Sequence, residues 1–321
     1  MRVLVCTDTI GALASYDAGA ALGRAFRAAS PEVQVAVVPM AASGQALADA
    51  LAHLGDDAPL VRPASGERAQ LEPAGTNPLA AVLATHPRRV MVDLTDVEAQ
   101  DGGAALLHDL GARADVPLDE GPLGFAALTR IDLAPARALV GDTELVVVVP
   151  AAQQGDLLLG LRGLTARRGH AAGTDPAVML ATDAALGRLA AVLGQADAPG
   201  LGAAGGMPLA LVALGAEITT GPALCARAAG LARSAAQADV IVTGSDVIDF
   251  ARRGGPVVEE MAALAGRVLR PCVAAGREVH VSARELRTFG IESAHALGGE
   301  PDLTGTELTR RASGMAASWT W

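Results

Sequence analysis

The sequence predicts an α/β fold built on a doubly wound parallel sheet. Three observations carry this. Short apolar runs without alternation, such as Val3 to Cys6 and Val240 to Thr243, have the composition of strands buried on both faces. Helical spacing rather than a second hairpin strand follows the first of them, giving the β-α-β-α order of a parallel sheet. The same style stops near Asp56 and returns near Ala238, so the two ends of the chain are expected to share one sheet.

In order, Val3 to Cys6 is the first strand, and a small-residue loop runs from Thr7 to Ser15. A helix from Ala18 to Ala29 ends before Pro31, because the position preceding proline disfavours helix. Val33 to Val38 reads as a second buried strand. Gly44 to Leu54 reads as a helix with Ala46, Leu47, Ala50, Leu51 and Leu54 on one face. Asp56 to Pro78 is rich in Pro, Gly, Asp and Glu without a clean period, a connection between domains. A second α/β unit follows: helix Leu79 to Thr85, strand Arg89 to Leu94, helix Gly103 to Leu110, strand Leu145 to Val149 and a helix from Asp175 to Leu193. Gly205 to Leu214 and Pro222 to Ala236 read as two further helices. The first style then resumes: strand Val240 to Thr243, helix Val257 to Ala265, strand Arg270 to Ala274, helix Ala283 to Phe289 and strand Ile291 to Ala296. One terminal helix starts from Thr304, with a loose end at 319–321. The expected domains are 1–58 with 237–298, then 59–236, with 299–321 as a C-terminal helix and tail.

The 321 residues, 51% hydrophobic, suffice for two cores. The basic residues number 25 against 35 acidic, a net charge of −10, which argues against a nucleic-acid surface. All the basic residues are arginine. The absence of lysine excludes a Walker A loop, a protein-kinase strand lysine and a Schiff base. Cys6, Cys225 and Cys272 are odd in number and widely spaced, which leaves no disulfide framework or close-spaced metal motif, and Cys6 and Cys272 sit in apolar strand-like runs as small buried hydrophobes. No apolar run reaches the roughly 18 residues of a membrane helix, and Met1-Arg2 leads directly into a strand. A cytoplasmic protein without membrane partners is therefore expected.

Parallel sheets bind ligands beyond the carboxyl ends of their strands. Candidate residues there are Thr7, Asp8, Thr9 and Gly11; Pro39, Met40, Ser43 and Gly44; Thr95, Asp96, Asp101, Gly102 and Gly103; and Gly244, Ser245, Asp246 and Asp249. Carboxylates and hydroxyls beside glycine suit a divalent cation and phosphate. The same residue types also serve helix caps and tight turns, and Asp101-Gly102-Gly103 makes a good N-cap. The segment Pro199 to Gly206, with Gly202, Gly205 and Gly206, either presents amides to an anion or lets helices pack closely. His53, His86, His108, His170, His280 and His295 are scattered, and no Gly-x-Ser-x-Gly elbow is present.

The order of motifs resembles the type I glycerate kinases. Cys6-Thr7-Asp8-Thr9-Ile10-Gly11 stands where that family has Ala-Pro-Asp-Ser-Phe-Lys-Gly, and Val38 to Ala46 where it has Val-Pro-Met-Ala-Asp-Gly-Gly-Glu-Gly. Thr95 to Gly103 is similar to Gly-Gly-Ser-Ala-Thr-Asn-Asp-Gly-Gly, and Arg130 to Leu133 to Arg-Ile-Asp-Leu. Gly202 to Gly206, Leu214 to Glu217, Ala238 to Gly244, Ala274 to Gly276 and Phe289 to Ile291 keep the family's order to about residue 298. The resemblance implies two different α/β domains, a flavodoxin-like sheet with the second domain inserted. It also implies ATP-dependent phosphorylation of glycerate or a related small hydroxy acid, with magnesium. On that reading Asp8 and Asp249 hold magnesium or take the hydroxyl proton, across one interdomain cleft. Asp101, Gly102, Gly103, Gly202, Gly205, Gly206, Gly244 and Ser245 cradle phosphate or nucleotide, and Thr9, Ser43, Arg252 and Arg253 contact substrate. A homodimer is compatible with the reading.

The departures fall on polar positions. The lysine after the first strand is missing, the acidic pair of the second motif has become Ala42 and Gln45, and Gly-Glu-Gly-Arg-Leu-Asp has become Gly244 to Asp249 with only the last acid kept. Phosphoryl transfer depends on charge placed in advance, so weak activity is expected, or a silent member of the fold serving as ligand sensor or partner subunit.

Overall fold

The first apolar run forms β1 (Arg2–Thr7), buried at every position after Arg2 in the computed structural model, which describes residues 1–63, 77–97 and 99–320. Next come α1 (Ser15–Ala29), β2 (Gln34–Pro39) and α2 (Gly44–His53). The segment read as a plain connection contains β3 (Leu60–Val61), while its residues 64–76 lie outside the described ones. Asn77 starts α3 (Pro78–Leu83) by accepting the Leu79 N–H at 3.1 Å, with proline in the first turn. Then follow β4 (Arg89–Asp93), α4 (Ala104–Asp109), β5 (Arg113–Ala114), β6 (Ile131–Asp132), α5 (Ala134–Val140), β7 (Glu144–Val148), α6 (Leu164–Ala172), α7 (Pro176–Val192), α8 (Pro208–Ala213) and β8 (Glu217–Thr219). The remainder is α9 (Gly221–Ala228), α10 (Leu231–Gln237), β9 (Val240–Gly244), β10 (Val247–Asp249), α11 (Pro256–Val268), β11 (Cys272–Gly276), β12 (Glu278–His280), α12 (Ala283–Thr288), β13 (Ser293–Ala296), α13 (Gly305–Arg311) and α14 (Ser313–Ser318).

The chain divides into two units, Met1–Asp57 with Gly221–Trp321, and Ala58–Thr220. In the first, five parallel strands run in the order β13-β11-β9-β1-β2. Val3 pairs with Val240 and Thr7 with Gly244, so strands from the two ends of the sequence are neighbours. Within the unit the chain order is 2-1-3-4-5, and its direction of winding reverses between β1 and β9. One sheet face, with Val3, Val5, Val242 and Val273, packs on Leu22 and Phe26 of α1 and on Leu308 and Met315 of α13 and α14. In the second unit the parallel order is β3-β4-β7-β8. Its core joins Val90, Val92, Val147 and Val149 to helix residues such as Leu107, Leu186 and Leu209.

Several expectations need correction. The return to the first unit begins at Gly221, not 237, because α9 and α10 pack on α11 and α10 on β1. Residues 299–320 are no separate tail, since Leu308, Ala312, Met315 and Ala316 complete the core over α1; residue 321 lies outside the described ones. The terminal helix is two helices, the first opened by a capping box of Thr304 and Glu307. β2 is half-exposed because it lies at the sheet edge. Pro222 to Ala236 breaks at Gly230, whose φ of 60° ends α9 and precedes α10. The proposed helix from Gly205 starts only at Pro208, because Ala204, Gly205 and Gly206 all hold positive φ. Helices α5 and α6 and strand β8 are further elements that the sequence reading does not name.

Candidate functional site

Winding reversal leaves the carboxyl ends of β1 and β9 side by side with no helix crossing between them, the position where doubly wound sheets accept ligands. Four expected residues meet there. The Asp8 N–H donates to Gly244 O at 2.9 Å, and the Asp8 carboxylate accepts the Thr9 N–H at 2.8 Å. Burial pushes the Asp8 carboxyl above its usual range, outweighing the Thr9 hydrogen bonds. Ser245 follows Gly244, its N–H bonded to Ala275 O at 3.2 Å and its hydroxyl donating to Val247 O at 3.2 Å. Ser43 stands on the adjoining loop after β2, which pairs with β1 through Thr7 and Pro39. It occupies the N-cap of α2 without a side-chain cap bond. Of the altered acidic pair, Gln45 turns along the helix and donates to Asp49 Oδ1 at 2.7 Å.

An ion pair braces these loops. Arg277 grips Asp246 at both oxygens, 2.9 Å from Nε to Oδ1 and 3.0 Å from Nη2 to Oδ2, and Asp246 Oδ1 also accepts the Gly11 N–H at 2.8 Å. The guanidinium, with help from the Gly11 amide, holds the Asp246 carboxyl below its usual range. Sequence reasoning inspected Asp246 but passed over Arg277, although Arg277 also directly follows a strand, β11.

Asp249 ends β10, which pairs with β12 in a separate two-stranded sheet, Asp249 opposite His280. Its Oδ1 accepts the Arg252 N–H at 2.6 Å, a turn-forming role. Arg252 and Arg253 are exposed, and the Arg253 guanidinium stands 5.3 Å over the Phe289 ring. Asp8 and Asp249 thus both belong to the first unit, on different sheets.

The glycines of the second unit meet one another. Asp101 caps α4, accepting the Gly103 N–H at 3.0 Å and the Ala105 N–H at 2.9 Å, while the Gly102 N–H donates to Gly205 O at 3.3 Å. The Gly102 and Gly103 amides, expected to face phosphate, therefore have internal acceptors. A Cβ on Gly202 would overlap Leu157 O, one on Gly205 would overlap Ala99 O, and one on Gly206 would lie 2.9 Å from Leu158 Cδ1. Close packing accounts for this cluster. The sequence reading missed Asp93, which is 1% exposed at the end of β4. Asp93 accepts Arg62 Nε at 3.1 Å and the Thr95 hydroxyl at 2.6 Å, while Arg62 also pairs with Asp96 at 2.9 Å. A carboxylate at the last position of an apolar strand was the available signal.

Among the described residues no three His, Cys, Asp or Glu gather as a ready-made metal site. The three cysteines are free and buried. Burial pushes the thiols up, to about 11 at Cys225 and about 12 at Cys272. Among the described residues no helix is long and apolar enough to cross a membrane.

Comparison with known proteins places this architecture. A crystal structure from Salmonella typhimurium LT2, of a protein provisionally assigned as glycerate kinase 2, superposes with a TM-score of 0.70 at 21% identity, covering 99% of this chain and 98% of that one; this is a likeness of fold. Glycerate 2-kinase of Escherichia coli K12 is 23% identical over 344 aligned residues, covering 92% of this chain and 90% of its own length. Uncharacterized proteins of Mycobacterium bovis and Mycobacterium tuberculosis are 29% identical over 225 residues, and the match covers 67% of this chain but only 52% of theirs. The chain thus spans about half the length of these mycobacterial relatives. The model of the glycerate kinase family matches residues 58–318, most of the sequence, and this chain belongs to that family.

Proposed function

We propose that the protein phosphorylates glycerate or a related small hydroxy acid with ATP, at a rate well below that of an enzyme with intact motifs. The observation that carries this reading is the meeting of Asp8, Thr9, Gly244 and Ser245 at the winding reversal of the first sheet. Asp8 is a carboxylate held in a largely buried position where its proton affinity is raised, which suits a group that accepts a proton from an attacking hydroxyl. Ser43 and Thr9 offer hydroxyls to the acid substrate, and Arg252 offers charge to carboxylate or phosphate. Magnesium, carried on the nucleotide, would supply charge neutralisation at the transferring phosphoryl group. Asp249 is the carboxylate that would hold it, with Asp8 either sharing that role or taking the hydroxyl proton.

A second reading, a silent member of the family acting as ligand sensor or partner subunit, has its own support. Ala42 offers no charge, Gln45 is committed to Asp49, and there is no lysine. Steady-state phosphorylation over a panel of hydroxy acids, with magnesium and ATP, separates the two. ATP-dependent product with at least one acid supports the kinase. No turnover, with a rise in melting temperature on adding ligand, supports the sensor, because a ligand that binds the native state stabilises it.

A further inference from the structure

Phe250 is 59% exposed, in a chain with only four phenylalanines. It lies on the turn between β10 and α11, and its ring meets that of Phe289 at 5.8 Å between centroids and 45° between planes. Arg253 covers the Phe289 ring and has Glu259 at 3.9 Å from its Nε. Arg253 itself holds a φ of 51°, a conformation that a non-glycine residue pays for. Beside this corner a cavity of about 330 Å³ opens between α11 and α12, with Val258, Ala262 and Ile291 as apolar walls and Glu259 and Thr288 as polar groups. That volume falls at the lower end of small-ligand sites, and apolar walls with a few convergent polar groups are their usual lining.

The chemistry selects a flat, electron-rich ring. Phe250 offers an exposed face for stacking, and the guanidinium adds a cation that attracts π density. Glu259 accepts hydrogen bonds from an exocyclic amine. The Thr288 hydroxyl donates to Glu285 O at 2.6 Å, which leaves its lone pairs as acceptors. Arg252, exposed on the same turn, supplies charge for phosphate next to the stacking corner. We propose that the Phe250–Arg253–Phe289 corner is a stacking subsite for the purine base of a nucleotide. It rests on the ATP-dependent reading and concerns the base of the nucleotide alone.

Titration calorimetry with ADP and with inorganic tripolyphosphate tests this on the wild type, Phe250→Ala and Phe250→Tyr. Phe250 is exposed, so unchanged melting temperatures are expected. Stacking of a base on an aromatic side chain adds to affinity, so Phe250→Ala should weaken ADP about tenfold or more. Phe250→Tyr, which keeps the ring, should stay within about twofold of wild type, and tripolyphosphate should bind all three alike. Equal ADP affinity in the wild type and Phe250→Ala would overturn the subsite while leaving the kinase reading intact. Equal affinity of the wild type for ADP and tripolyphosphate would also overturn it, since no base would then be recognised. A wild type that binds neither probe would remove the subsite and the ATP-dependent reading together.

Discussion

Asp8 and Asp246 follow neighbouring strands, yet their surroundings drive them apart. Burial raises the Asp8 carboxyl, whereas the Arg277 guanidinium lowers that of Asp246. The consequences for stability have opposite signs. The contribution of Asp8 is fully present below the ordinary carboxylate range and is lost as pH rises through its raised native value. Asp8→Asn, which stays neutral, should therefore melt above the wild type at pH 7 and level with it near pH 3. The contribution of Asp246 is present above the ordinary range and is lost as pH falls through its lowered native value. Asp246→Asn should melt below the wild type at pH 7, with the gap closing in acid. Melting curves of the three proteins across this range check both, and parallel shifts at every pH would contradict them. The cysteines give another residue-scale test. Their thiols are buried and held protonated, so Cys6, Cys225 and Cys272 should not react with a thiol-colour reagent at pH 8 in the native protein, and all three should react in denaturant. Prompt native reaction of any one would contradict the buried placement.

At the scale of elements, the contact between the 202–206 segment and the loop before α4 predicts an asymmetry between two glycines of similar conformation. Gly205 has φ 69° and no room for a Cβ against Ala99 O, whereas Gly194 has φ 70° and open space. Gly194→Ala should cost about 1 kcal/mol for the left-handed backbone alone. Gly205→Ala should cost about 3 kcal/mol or more, because main chain must also move. Urea titrations of the two variants measure the difference, and equal losses would contradict the packing. This segment also shows where sequence reading stopped short. Gly202, Gly205 and Gly206 carry the same residue pattern whether they face an anion or a neighbouring backbone, and only the fold shows Ala99 and Leu157 against them. Asp101 is similar, since its capping of α4 was as legible as a phosphate role. The buried strands were legible because continuous apolar runs have few other uses. Short strands such as β3, β5 and β6, each two residues long, leave no period to detect.

For the whole molecule, the return of the first composition style revealed that the chain ends share a sheet, as the pairing of Val3 with Val240 shows. The boundary at Gly221 was hidden, because α9 and α10 are amphipathic helices that either unit could have claimed. The brace between Asp246 and Arg277 was equally hidden, since 31 residues separate its members and only the order β9-β1 beside β11 brings them together. The family motifs carried the fold, and their altered polar positions carry the proposal: a phosphoryl-transfer site at the β1–β9 reversal, expected to be weakened where Ala42 and Gln45 stand in place of acids. Each lost transition-state group costs about a hundredfold or more in rate. The most direct measurement is kcat for ATP-dependent phosphorylation of glycerate by the wild type and by a variant carrying Ala42→Asp and Gln45→Glu together. A wild-type kcat well below about 1 s⁻¹, rising at least about tenfold in the variant, is the predicted result. A wild-type kcat already within the ordinary kinase range of about 1–100 s⁻¹, unchanged by the double substitution, would contradict it.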